Sequence, residues 1–154
     1  MSLLLLFGDD VNYGADALNI ALSENATKRD GIIFLTTAGR AFAVTAINGE
    51  ATTFFDSTNA LIGVGDGSTA FSPSQTDMQG SNKLWKAMDP GYPQRSGNQI
   101  TFQATFDTDE GNFDWNEWGI GNGSIMFTRM VQDHGVKSSS RKRVLRRTIE
   151  VALP

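Results

Sequence analysis

Few residues in this chain have the types and spacing that chemistry requires. There is one histidine, His134, and there is no cysteine. A disulfide framework, a thiol nucleophile and a zinc centre built on several His or Cys ligands are therefore out of reach. His134 lies in Gln132-Asp133-His134-Gly135, a turn-forming sequence, and reads as a surface turn. The segment Asp107-Thr108-Asp109-Glu110-Gly111-Asn112-Phe113-Asp114 alternates oxygen ligands in the manner of a calcium loop. Its sixth position, however, is Asn112 where an EF-hand has glycine, and Glu117 falls one residue short of the bidentate position. Gly63-Val64-Gly65-Asp66-Gly67 gathers glycines behind an apolar run but lacks the G-x-G-x-x-G spacing, and no helical pattern follows to offer its N-terminus to a phosphate. It reads as a turn. A glycoside hydrolase needs two carboxylates at a defined separation, for which Asp114 and Glu117 are the nearest candidates. No P-loop or nucleophile elbow is present. The expectation is a protein that is not an enzyme and carries no cofactor and no metal.

Charge is more informative. The formal net charge is -4, yet five acids lie between Asp107 and Glu117 and six bases between Lys137 and Arg147 (Lys137, Arg141, Lys142, Arg143, Arg146, Arg147). One reading is a solvated loop and strand end. The other is a complementary contact, in which the basic end of one copy faces the acidic turn of the next or grips another charged partner. Nucleic acid is not expected, because the total charge is negative and no aromatic residues interleave with the bases. A second cluster, Trp85, Tyr92, Phe113, Trp115 and Trp118, suits either core packing or interface anchoring.

The elements that must position these residues are mostly strands. Leu3-Leu4-Leu5-Leu6-Phe7 is a short apolar run ending at Gly8-Asp9-Asp10, too short for a membrane span or a signal peptide. It reads as an extended N-terminal arm over residues 1–10 that adds a strand to a neighbouring sheet edge. Residues 15–24 alternate Leu18, Ile20 and Leu22 with smaller or polar residues and fit a strand or a short helix. Thr36-Thr37 opens an alanine-rich helix over about 37–48, closed by Gly49, with Ala38, Ala41, Phe42 and Thr45 on its packed face and Arg40 outside. Strands are expected over 59–65, 100–106, 113–120, 125–131 and 144–153; Gly121-Asn122-Gly123 forms a hairpin loop between the third and fourth. The fold class is mainly β, an antiparallel β-sandwich or barrel-like domain over 11–154 with one short α-helix.

One stretch goes further. Ile62-Gly63-Val64-Gly65-Asp66-Gly67-Ser68-Thr69-Ala70-Phe71, Ser74-Gln75-Thr76-Asp77, Asn82-Lys83-Leu84-Trp85-Lys86-Ala87-Met88-Asp89 and Asn116-Glu117-Trp118-Gly119-Ile120 follow one another in this order. Together they resemble a group of small structural proteins of tailed-bacteriophage virions. The resemblance runs from Leu61 to Gly121 and implies a virion component assembled in the host cytoplasm. On that basis the expected function is a capsid decoration or cement protein, a homotrimer that binds the major capsid protein and stabilises the head. A tail-fibre, baseplate or receptor-binding accessory protein is the alternative. The partner-binding residues expected are Leu3, Leu4, Leu5, Leu6 and Phe7 in the arm, and Arg141, Lys142, Arg143, Arg146 and Arg147 in the basic segment.

Overall fold

The computed structural model describes residues 4–8 and 34–152. In chain order the elements are β1 (Leu4–Gly8), α1 (Thr37–Ile47), β2 (Leu61–Gly65), β3 (Lys83–Ala87), β4 (Gln94–Ser96), β5 (Gln99–Phe106), β6 (Glu117–Gly121), β7 (Met126–Val131) and β8 (Arg143–Ala152). They form two antiparallel four-stranded sheets, ordered β1-β8-β5-β4 and β3-β2-β6-β7. The domain is therefore a β-sandwich and not a closed barrel.

Alternation of side chains along each strand builds the core between the sheets. Phe102, Ala104 and Phe106 of β5 and Leu145 and Ile149 of β8 face Ile62, Val64, Trp118, Ile120 and Met130 of the second sheet. Trp115 closes one end, its ring edge-on to Phe106 at 4.8 Å. The expected alternation in β5 and β8 is realised: Val144 is exposed where Leu145 is buried. The second sheet departs from a half-wet pattern, since β6 is buried along its whole length and β2 along nearly all of it. Its outer face is covered by Trp85 and by the long connection 66–82.

The structure corrects several expectations. Leu4–Gly8, read as an arm reaching for a neighbour, runs antiparallel to the chain's own β8, with Leu4 opposite Ala152 and Gly8 opposite Thr148. The strand expected over 113–120 begins only at Glu117. Before it, the chain is held by bonds across to the 134–137 segment: Trp115 N–H to Gly135 O at 3.2 Å and Lys137 N–H to Phe113 O at 3.0 Å. The hairpin loop is Asn122–Ile125, shifted because the Asn122 side chain accepts from Ser124 N and Ile125 N and a bulge follows Ile120. The strand expected from residue 59 starts at Leu61, because Asp56 accepts from Thr58 N and Asn59 N in a preceding turn. Strands β3 and β4 were not expected from periodicity. The stretch 15–24 lies outside the described residues.

Helix α1 forms where the sequence places it, with Thr36 as N-cap accepting from Gly39 N at 2.9 Å. Its packed face is rotated from the expected one: Ala41 is exposed, and Gly39 is the buried residue. Phe42 meets Phe55 and Phe127 edge-on, at 4.8 and 6.4 Å between ring centroids. Thr36 ties the helix start to β7, donating from its hydroxyl to Met126 O and from its N–H to Phe127 O. A Cβ on Gly39 would land on the Phe127 carbonyl. Gly39→Ala should therefore destabilise the fold by about 1–3 kcal/mol, although alanine is the better helix former. The midpoint of urea unfolding measures it; an unchanged or raised midpoint would show that α1 can move off β7 freely.

Candidate functional site

The expected partner-binding bases do not form one patch. Alternation along β8 sends Arg146 outward and Arg147 inward, where the latter is 6% exposed. Arg147 lies over the Trp118 ring at 4.8 Å and hydrogen-bonds to His134 Nε2 at 2.6 Å. Arg143 lies over Trp115, also at 4.8 Å, and donates to the carbonyls of His134, Gly135 and Val136. Lys137 is buried, with its ammonium on Asp107 O and Asn112 Oδ1 at 2.6 and 2.8 Å. Lys142 pairs with Asp107 at 2.5 Å. That hydrogen bond holds the Asp107 carboxyl below its usual range and raises the Lys142 ammonium. Arg141 and Arg146 are exposed, and Arg146 reaches Gln103 Oε1 at 2.7 Å. Of the proposed arm, Leu4 to Phe7 belong to β1, and Leu3 lies outside the described residues.

The acidic turn is neutralised in the same way. Glu110 pairs with Lys86 at 2.5 Å, which lowers its pKa. Oxygens of Asp107, Glu110 and Asn112 that a calcium loop would turn toward a cation thus face lysines. The acidic and basic segments, for which a contact between copies is one reading, are bonded to each other within one chain through Asp107–Lys142 and Asn112–Lys137.

Sequence reasoning missed two arrangements on the outer face of the second sheet. The first is a fully buried ion pair between Glu117 of β6 and Arg129 of β7. The carboxylate also accepts from Gln79 N at 3.1 Å and Gly80 N at 2.7 Å. The guanidinium donates to Thr69 O and Gln75 Oε1 at 2.9 and 3.1 Å. A Cβ on Gly65 would strike Glu117 Oε1, and one on Gly67 would lie 2.6 Å from the same atom. The glycines read as a turn are a cradle for this carboxylate. Glu117 is closed to any substrate, so the glycosidase pair with Asp114 is not formed.

The second arrangement is the seat of Trp85. A Cβ on Gly63 would sit 2.8–2.9 Å from Cε3, Cζ3 and Cδ2, so this glycine faces the flat of the six-membered ring. Cβ atoms on Gly119 and Gly121 would come within 3.3 Å of the same ring. The indole N–H donates to Asp77 Oδ1 at 2.9 Å, and Asp77 Oδ2 pairs with Lys83 at 2.6 Å. Burial works to raise the Asp77 carboxyl, but the hydrogen bonds from Lys83 and Trp85 outweigh it and hold the group ionised. Beside the indole runs a groove of about 360 Å³, lined by Leu61, Thr76, Asp77, Gly121 and the Gly123–Met126 segment. No family model, curated protein or solved structure matches this chain. Among the described residues no group of three or more His, Asp or Glu is placed to hold a metal ion. What the chain offers is a rigid aromatic wall, a groove and several locked charges.

Two measurements test these assignments. Glu117→Ala leaves Arg129 buried without its counter-ion and should cost about 3–5 kcal/mol. Combining it with Arg129→Met should cost less than the sum of the two single changes, because the second change removes the stranded charge. A double-mutant cycle in urea that proved additive would contradict the coupling. His134 has its pKa lowered from 6.5 to about 4 by burial first, then by the Arg147 and Arg143 charges. Between those values the unfolded chain binds a proton that the folded chain does not, so stability falls as pH drops from 7 toward 4. Allowing for the partial exposure of the ring, the loss should be about 1–2 kcal/mol. With a single histidine in the chain, His134→Gln should flatten the decline between pH 7 and 5; the same slope in the variant would assign it elsewhere.

Proposed function

We propose that this chain is a structural protein of a tailed-phage virion, a capsid decoration or cement protein that binds the major capsid protein as a homotrimer and stabilises the head. The observation that carries this reading is where the residues of the phage-like stretch lie. Gly63, Gly65, Gly67, Asp77, Trp85, Glu117 and Gly119 all take part in seating Trp85 or in closing the Glu117–Arg129 pair. Such a stretch specifies a scaffold, as befits a protein whose work is to hold its shape under load.

Docking then falls to what the scaffold leaves outside. Among the described residues, β1 is an edge strand with no neighbour on its outer side, and the equivalent edge at β7 meets Leu35 through a bridge at Thr128. An open edge is a template for strand addition by a neighbour. The β1 edge thus takes over the role given to a free arm. Exposed Val44, Ile47 and Phe54, at and beyond the end of α1, supply apolar surface for a second contact. The alternative reading, a tail-fibre, baseplate or receptor-binding accessory protein, draws on the groove beside Trp85.

Copy number separates the two. Quantitative mass spectrometry of purified particles should find this chain in the hundreds per virion, with trimers in sedimentation of the isolated protein. A few to a few dozen copies would move it to the tail, and absence from the particle, or a monomer that turns over a small molecule, would end the proposal.

A further inference from the structure

The groove beside Trp85 is shaped for a ligand that nothing above requires. One face of the six-membered ring lies on Gly63, so its opposite face points away from the sheet. The ring is fixed from below by Gly63, at its far edge by Gly119 and Gly121, and in its plane by the N–H bond to Asp77. An aromatic plane held on one face and through its N–H loses less entropy when a ligand stacks on it than a free side chain would. Turn geometry does not account for Gly63 and Gly119, which sit inside β2 and β6, whereas Gly121 ends β6 at its bulge.

Around this plane the groove mixes apolar and hydroxyl groups. Leu61, Ile125 and Met126 form one part of its lining, Thr76 and Ser124 another. Both hydroxyl residues are exposed. Their backbone neighbours are fixed: Ser124 N–H is held by Asn122 Oδ1 at 3.1 Å, and Asp77, next to Thr76, is held by Lys83 and Trp85. At Gly123, whose φ is +81°, a side chain would meet nothing within 4 Å, so the hairpin tip leaves the approach open. The volume falls at the small end of the range of about 300–1,000 Å³ for small-molecule sites.

We infer that this groove binds a pyranose unit of a glycan, stacked on Trp85 and hydrogen-bonded through Thr76 and Ser124. A pyranose ring has an apolar C–H face and a rim of hydroxyls, which match an aromatic plane bordered by groups that both donate and accept. An apolar ligand would cover the two hydroxyls without pairing them, and an anion would come close to the Asp77 carboxylate, whose oxygens Trp85 and Lys83 already hold. A neutral sugar avoids both penalties. The site is compatible with either particle location, since it lies on the second sheet and β1 on the first.

The test is an NMR titration of the isotope-labelled full chain with the methyl glycosides of glucose, galactose, mannose and N-acetylglucosamine. At least one should give saturable shifts of the Trp85 indole N–H and of the Gly121, Gly123 and Ser124 amides, with a dissociation constant on the order of 1–10 mM. The Thr76→Ala/Ser124→Ala double variant, which leaves the Trp85 seat intact, should keep the folded spectrum and bind about fivefold more weakly or worse. Absence of saturable shifts for all four glycosides at about 100 mM overturns the inference. So do shifts that glycerol reproduces equally, or shifts at these residues given by an oligoproline peptide and by none of the sugars.

Discussion

The buried ion pair between Glu117 and Arg129 is the constraint around which the second sheet is organised. Two charges without solvent exposure are stable together only if their remaining hydrogen-bonding capacity is met. The chain meets most of it with backbone from the 66–82 connection: Gln79 and Gly80 donate to the carboxylate and Thr69 accepts from the guanidinium, while Nη2 of Arg129 is left without a partner among the described residues. A connection that would otherwise be a long solvated loop becomes a fixed cover over the outer face of β2 and β6. The glycines follow from the same demand, since the carboxylate occupies the space that side chains at 65 and 67 would need.

The other sheet is stabilised differently. Its inner face is apolar through Phe102, Ala104, Phe106, Leu145 and Ile149. Its outer face carries threonine, glutamine and arginine, as in the Thr101–Thr148 hydroxyl pair at 2.8 Å and the Arg146–Gln103 bond. Arg143 and Arg147 cap Trp115 and Trp118, so that cationic side chains finish the rim of an aromatic core. Segments that look like opposite electrostatic poles in the sequence are thereby drawn into one scaffold. The surface left for partners is less charged than the sequence suggests.

Periodicity made part of this legible. β5, β8 and α1 could be placed because alternation or a capped alanine-rich run is a local signal; Arg147, expected to bind a partner, instead shares the inward phase of Leu145 and Ile149. The start of β6 was misplaced because the residues before it are held by the 134–137 segment, which local pattern does not report. The candidate site was largely hidden. That Gly63, Gly119 and Gly121 share one face depends on the register of β2 against β6, with Gly63 opposite Gly119 and Leu61 opposite Gly121. Likewise, no spacing rule reveals that Lys137 will meet Asn112, or Lys86 meet Glu110.

The pairing of β1 with β8 has a consequence for how the molecule comes into being. The earliest described strand has its ladder partner among the latest residues, so that sheet cannot close during synthesis until β8 has left the ribosome. Until then β5 lacks its main neighbour, and its apolar row of Phe102, Ala104 and Phe106 has only half of its cover. Long-range strand closure of this kind is slow compared with local helix or hairpin formation. The sheet is therefore completed only once β8 is available, and a chain whose β8 has not yet paired is a species that other chains can capture.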